Sequence, residues 1–296
     1  MKLKLGTNLG FAINRYIEPE IWAKIVAVEL GLSSVQFVAD LLNPFLPEPY
    51  TNKMSERIVA AARHYGISID SMFTSAYTRV NHLMHPDGDA REIWLGWFRR
   101  FLIMGQKFGA KTLGSHFGIL TFDSFEHNRE FLIGEGVKNW QKLSFFAKEL
   151  GYEALIFEPM SVPREMAHTI PEAIDLMERV NENCGAPMRL CLDVGHAPHP
   201  DYRDPYVWVE ALGRYSPIIH IQQTAPNKSN HAPFTPEYNK TGIITGEKLM
   251  DSMEKSGLKE SILMFEIGHR EHYDTEFKII EDLKESVKYW RQWIKE

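Results

Sequence analysis

KELGYEALIFEP, residues 148–159, reads as the end of a helix, a stop, a strand and a carboxylate. Glycine just past a helix takes the left-handed conformation without a Cβ penalty, so Gly151 reads as a C-terminal stop. Residues 154–157 form a short apolar run of strand character, and Glu158 is the first polar group after it. The same punctuation recurs in VELGLSSVQFVAD, RHYGISIDSMF, QKFGAKTLGSHF, ENCGAPMRLCLDV and EKSGLKESILMFE, and before RYSPIIHIQQ. Its glycines, Gly31, Gly66, Gly109, Gly151, Gly185, Gly213 and Gly257, lie 28 to 44 residues apart, the size of one strand–helix unit.

With the opening LKLGTNLG, the pattern predicts strands near 3–9, 34–40, 68–74, 112–117, 154–159, 189–194, 218–223 and 261–267. The intervening segments carry helical periodicity. Met54, Ile58, Ala61, Ala62 and Tyr65 form one stripe, and Trp94, Trp97, Phe98, Phe101 and Leu102 form another. In TIPE, Thr169 stands three residues before Glu172 with Pro171 in the first turn, a capping-box signature. Strands alternating with helices imply parallel pairing through right-handed crossovers. Eight such units predict an α/β fold, a closed (β/α)8 TIM barrel, with a doubly wound open sheet as the alternative. The barrel is favoured because no strand is followed by a Gly-rich dinucleotide fingerprint or a P-loop. No linker-like composition interrupts the chain, so residues 1–296 are expected to form one domain ending in a C-terminal helix.

A net charge of −6 and a pI near 6.1 argue against nucleic acid as a partner, because phosphate neutralisation needs a basic face. Two cysteines, Cys184 and Cys191, are too few for a disulfide framework and lack a zinc-site partner pair. The N-terminal run is broken by Gly, Thr and Asn, and no span is apolar for long enough to cross a bilayer. The expectation is a cytoplasmic protein without a membrane partner. Helix 91–108 is rich in aromatics, which barrel packing and a homo-oligomer interface explain equally.

In a barrel of this kind, function sits at the carboxyl ends of the strands. There the fifth strand presents Glu158, the sixth Asp193, the seventh His220 and the eighth Glu266. Any one of these reads equally as a cap or a satisfied core group. Together, three carboxylates converging at one end would repel each other unless a cation sat among them. Three oxygen ligands and one imidazole suit Mn2+ first, then Mg2+, with Co2+ or Zn2+ as further candidates. Two glutamates on opposite sides of a substrate carbon, with a Lewis acid on adjacent oxygens, can remove a proton and return it on the other face. That is epimerisation through a metal-stabilised enediolate; return to the neighbouring carbon would be aldose–ketose isomerisation. No strand end offers the lysine that a Schiff-base aldolase needs.

This set resembles the xylose-isomerase-like barrel superfamily, and within it the ketose 3-epimerases related to the tagatose and psicose enzymes. Their pattern is Glu after strand five, Asp-x-x-His after strand six, His after strand seven and Glu after strand eight. Glu158, Asp193 with His196, His220 and Glu266 match it in order. The resemblance implies that the first, second, fourth and fifth of these hold Mn2+ or a similar ion, that Glu158 and Glu266 double as the acid/base pair, and that His196 touches substrate oxygens. The family's arginine after the strand-seven histidine is not matched, because HIQQTAPNK places Pro226 and Asn227 there. DLLNPFLPEPY and NHLMHPD are similar to stretches of the tetrulose-phosphate branch, the erythrulose-1-phosphate 3-epimerases of tetritol breakdown.

Further candidates for a ketose or ketose-phosphate substrate are His116, which ends strand four, and Arg270, Lys228 and Arg203 for a phosphate. Asn8 and Gln36 are candidates for the opposite wall, while His231, His269 and His272 read as loop residues rather than ligands. Rival readings are a cyclic-polyol dehydratase, a non-catalytic sugar-binding barrel, and a multi-zinc DNA-repair endonuclease. The last would need a more His-rich site and a basic groove.

Overall fold

The structure, a computed structural model, describes residues 1–75, 78–196, 204–269 and 271–294. Eight strands form in sequence order: β1 (Lys2–Asn8), β2 (Ser34–Val38), β3 (Ser68–Phe73), β4 (Thr112–His116), β5 (Ala154–Glu158), β6 (Met188–Asp193), β7 (Ile218–Ile221) and β8 (Glu260–Phe265). They close into a barrel in the order β1 to β8, and the ladder returns from β8 to β1 in parallel register. Closure rules out the open doubly wound sheet. Each expected strand is present within two residues of its anticipated ends.

The glycine stops account for most of this punctuation. Gly31, Gly66, Gly109, Gly151 and Gly257 have positive φ, as a helix stop requires. Gly213 and Gly185 belong to a different category. Gly213 has φ −53° and opens a 3-10 turn, Gly213–Tyr215. At Gly185 a Cβ would lie 2.6 Å from the Phe145 Cα, so the residue is glycine because two backbones meet there. The Thr169 cap forms, but Glu172 reaches back to the N–H of His168 rather than to Thr169 itself.

Two compact units divide the contacts. One comprises Met1–Gln36, Ala60–Ser68 and Cys191–Glu296, and the other Phe37–Val59 and Ile69–Leu190. The unit boundaries fall inside β2, helix Glu48–His64, β3 and β6. In the first unit, Phe234 stacks on Tyr289 at 5.5 Å and meets Trp290 edge-on at 5.2 Å. In the second, the aromatic stripe of helix Gly88–Phe108 is core: Trp97, Phe98, Phe101 and Leu102 are buried. Trp140 joins Phe98 at 5.4 Å and donates its indole N–H to the Phe117 carbonyl at 2.9 Å. Burial of each such side chain contributes about 1.5–3 kcal/mol. Among the described residues, no helix is long and apolar enough to cross a membrane.

Candidate metal centre

Asp193 and His220 are register partners at the carboxyl ends of β6 and β7, so the sheet delivers both at one level. Each follows an apolar run and is buried. Asp193 does act as a cap, accepting the Gly195 N–H at 2.6 Å, but its carboxylate also accepts from the Gln222 amide at 3.0 and 2.9 Å. Gly195 allows that approach, since a Cβ there would sit 2.2 Å from the Gln222 side-chain carbon.

One chain of hydrogen bonds fixes the imidazole of His220. The Gly10 N–H donates to Asn8 Oδ1 at 2.7 Å, which leaves the Asn8 amide nitrogen to donate to Gln36 Oε1 at 2.8 Å. Gln36 Oε1, an acceptor, lies 2.7 Å from His220 Nε2, so Nε2 carries the proton. The lone pair is then on Nδ1, 3.2 Å from Glu266 Oε2. An imidazole lone pair facing a carboxylate at that distance needs a positive charge between them, a proton or a metal ion.

Glu266 follows β8 and anchors its backbone N–H on the Ile221 carbonyl at 3.1 Å. Burial pushes its carboxyl pKa up; where the positive charge between the two is a proton on His220 Nδ1, attraction and a hydrogen bond from that imidazolium, with His231 and His196 adding to it, outweigh burial and hold it well below the usual range. Glu158 ends β5 as the register partner of His116, and is buried. One ligand atom from each of Glu158, Asp193, His220 and Glu266 lies within 4.8 Å of the others. Three carboxylates and one neutral imidazole in so small a space form a donor set that fits a divalent metal.

The remaining sequence candidates fare differently. His196 Nε2 is 3.7 Å from Asp193 Oδ2, at the edge of the cluster. His116 is a satisfied core histidine: Nδ1 lies 3.0 Å from both His82 Nε2 and Ser115 Oγ, and Nε2 lies 3.1 Å from the Val80 carbonyl. Both ring nitrogens are engaged within the protein. Lys228 is exposed in the loop after β7. Arg270 and Arg203 lie outside the described residues. Asn8 and Gln36, expected on the wall, instead orient His220.

Three participants escaped the sequence reading. Gln222 holds Asp193, and only its position two residues after His220 could have signalled it. His231, read as a loop residue, approaches within 3.7 Å of Glu266 Oε2 because Gln223 and Ala232 pair as a β-bridge and fold its loop back. His82, which abuts His116 from a loop 34 residues earlier, left no local signal at all.

Comparison with known proteins agrees with this architecture. Residues 25–293 match the family described as Xylose isomerase-like TIM barrel. A D-erythrulose 1-phosphate 3-epimerase of Brucella abortus is 31% identical over 98% of this chain and 96% of its own. The structure of a provisionally named xylose isomerase from Rhodospirillum rubrum superposes with TM-score 0.89 at 26% identity, covering 98% of this chain and 99% of that one. A D-psicose 3-epimerase from Clostridium cellulolyticum, solved with D-tagatose, shares the fold with TM-score 0.74 at 15% identity over 99% of both chains. An unbroken parallel barrel, the family match along nearly all of it and the curated relative converge: the chain belongs to the xylose isomerase-like TIM barrel family.

Proposed function

We propose that this chain is a divalent-metal-dependent isomerase that epimerises a ketose phosphate at C3, with D-erythrulose 1-phosphate as the first candidate substrate. The observation that carries the reading is the convergence of Glu158, Asp193, His220 and Glu266 within 4.8 Å in a chain 31% identical to a D-erythrulose 1-phosphate 3-epimerase. Mn2+ is the preferred ion for an oxygen-rich set of this kind. The proposal extends to a single-domain enzyme of the cytoplasm acting in tetritol breakdown.

A divalent ion held by these four residues would polarise the carbonyl beside the reacting carbon. Everything else is the work of the chain. Glu266, at the end of β8 and partly exposed toward the barrel mouth, accepts the C3 proton. Glu158, on the far side of the substrate, enters this step protonated, returns its proton to the opposite face and is left ionised as Glu266 gains one; exchange with water resets the pair. The electrons left on C3 delocalise onto the adjacent carbonyl and then reclaim a proton, so the configuration inverts without net redox change. Asn8 and Gln36 hold His220 in the ligating tautomer, and His196 orients substrate oxygens.

The test is turnover of D-erythrulose 1-phosphate in D2O with Mn2+, read by NMR. Deuterium entering at C3 together with the epimer is expected, and Glu158→Gln or Glu266→Gln should each lower the rate by roughly 10²–10⁴-fold. No exchange at C3 would overturn the proposal. The likeness to the Rhodospirillum rubrum protein favours one second reading, an aldose–ketose isomerase, for which deuterium would enter at C1 or C2.

A further inference from the structure

We propose that the chain binds a short aliphatic diamine, as its dication, in the cavity between the loops after β7 and β8 and the start of helix Ile279–Trp290. The cavity measures about 780 Å3, and no residue of the four-ligand set lines it. Asn230 and Ala232 line it on either side of His231, together with Gly268, whose N–H the His231 carbonyl accepts at 2.7 Å. The segment that brings the His231 ring toward Glu266 therefore also forms a wall of this cavity.

A buried imidazole with nothing to bond points to a ligand. The side chain of His269 lines the cavity and is only 3% exposed. Neither of its ring nitrogens has a hydrogen-bond partner among the described residues: Nε2 is sealed from solvent, and Nδ1 stands 3.9 Å from Asp282 Oδ2, too far for a hydrogen bond. Burial pushes the His269 pKa down to about 4, with repulsion from Arg15 outweighing attraction from Glu271. Near neutral pH the ring is thus uncharged, and with its proton on Nε2 it turns a lone pair out from Nδ1. An ammonium seated about 2.9 Å from both Nδ1 and Asp282 Oδ2 would fill that gap with two charge-assisted hydrogen bonds.

The charge of the lining selects a cation. Among the lining residues, Glu237, Glu276 and Asp282 stand against one basic side chain, Lys278. Burial holds the Asp282 carboxyl above its usual range, opposed by attraction from Lys278 and reinforced by repulsion from Glu281 and Glu237. Such a lining repels a ketose phosphate, so the cavity is not a second seat for the proposed substrate. A bare metal ion is not held either, because among the described residues no third carboxylate or imidazole donor comes within 4.8 Å of the His269–Asp282 pair. The cation is therefore extended and organic. One ammonium takes the gap between His269 and Asp282, and the other reaches exposed Glu237, beside which the Tyr238 ring offers a cation–π face. Pro233 and Pro236 supply apolar surface for the methylenes between them.

The experiment is isothermal titration calorimetry of the full chain with 1,4-diaminobutane at low salt, with Mn2+ present so that the carboxylates at the barrel's end are occupied. Saturable binding is expected, weakened by roughly tenfold or more in Asp282→Asn, which keeps the side chain's shape and removes its charge. His269→Leu is a second route to the same loss, and 1,4-butanediol, the uncharged analogue, should give no saturable heat. No saturable binding of the diamine would overturn the site, as would an affinity unchanged in either variant or an equal affinity for the diol. Binding that Glu158→Gln weakens and Asp282→Asn leaves intact would place the diamine at the four-ligand set and overturn this site too. None of these outcomes touches the epimerase reading, which turns on exchange at C3.

Discussion

His220 shows how a single proton decides what a side chain can do. Its ring is useful to a metal only while Nε2 keeps the hydrogen, and that depends on Gln36, whose Oε1 sits 2.7 Å away. Gln36→Leu should therefore weaken divalent-metal affinity by roughly 10- to 100-fold, the usual cost of losing such a supporting partner. Competition against a chromophoric chelator measures it, and unchanged affinity would refute the tautomer argument. His82 and His116 are the opposite case, imidazoles arranged to stay neutral. The Leu83 N–H donates to His82 Nδ1 at 2.6 Å, so His82 Nε2–H points at His116 Nδ1, and His116 Nε2–H at the Val80 carbonyl. Burial, with Arg79 adding repulsion, pushes the His116 pKa from 6.5 down to about 3. Unfolded chains take up that proton near pH 6.5 while the folded chain does not. The stability this histidine contributes is therefore complete above pH 6.5 and is lost as pH falls toward 3, at up to about 1.4 kcal/mol per pH unit. Urea denaturation of His116→Gln between pH 7 and 4 should show a shallower acid loss than the parent; identical slopes would contradict the buried neutral pair.

At the level of strands and helices, glycine has opposite meanings in different places. On β4, a Cβ at Gly114 would come 1.9 Å from the Ile156 carbonyl oxygen of β5, so Gly114→Ala forces two hydrogen-bonded strands apart. A loss of about 1–3 kcal/mol or more is expected. Gly134, inside helix Arg129–Glu149, has open space where a Cβ would go, and Gly134→Ala should add about 0.5–1 kcal/mol. Chemical denaturation of the two variants, run side by side, checks both signs. The same contrast explains what the sequence could and could not convey. Stops such as Gly109 and Gly151, apolar runs and the residue that ends each run are local features, and so all eight strands and the four side chains that converge at their ends were legible. Gly185 and Gly213 looked identical to those stops, because the close approach of distant atoms, the Phe145 backbone at Gly185 and the Ser256 side chain at Gly213, leaves no mark on neighbouring residues. Gln222, His231 and His82 were silent for the same reason: each matters through a partner brought near by a loop, and loops carry no period to read.

For the whole molecule, the barrel's stability and its chemistry depend on one electrostatic problem. Folding brings Glu158, Asp193 and Glu266 within 4.8 Å of one another, an arrangement that like charges oppose and that the unfolded chain never has to meet. His220, which turns a lone pair toward Glu266 at 3.2 Å, adds to it. A cation that binds the folded chain and has no site in the unfolded one adds RT ln(1 + [M]/Kd), about 2.7 kcal/mol at a hundredfold excess over Kd. In a chain of 296 residues each kcal/mol moves the melting temperature by roughly 2 °C, so saturating Mn2+ should raise it by about 5 °C. Chelation should reverse the gain. Glu266→Gln removes one charge and one strong ligand together, so the apo variant should melt at or above the apo parent while gaining little from Mn2+. A parent whose melting temperature is indifferent to divalent ions, or a Glu266→Gln variant that responds as fully as the parent, would mean that the carboxylates are reconciled in some other way and that the barrel's end is not a metal centre.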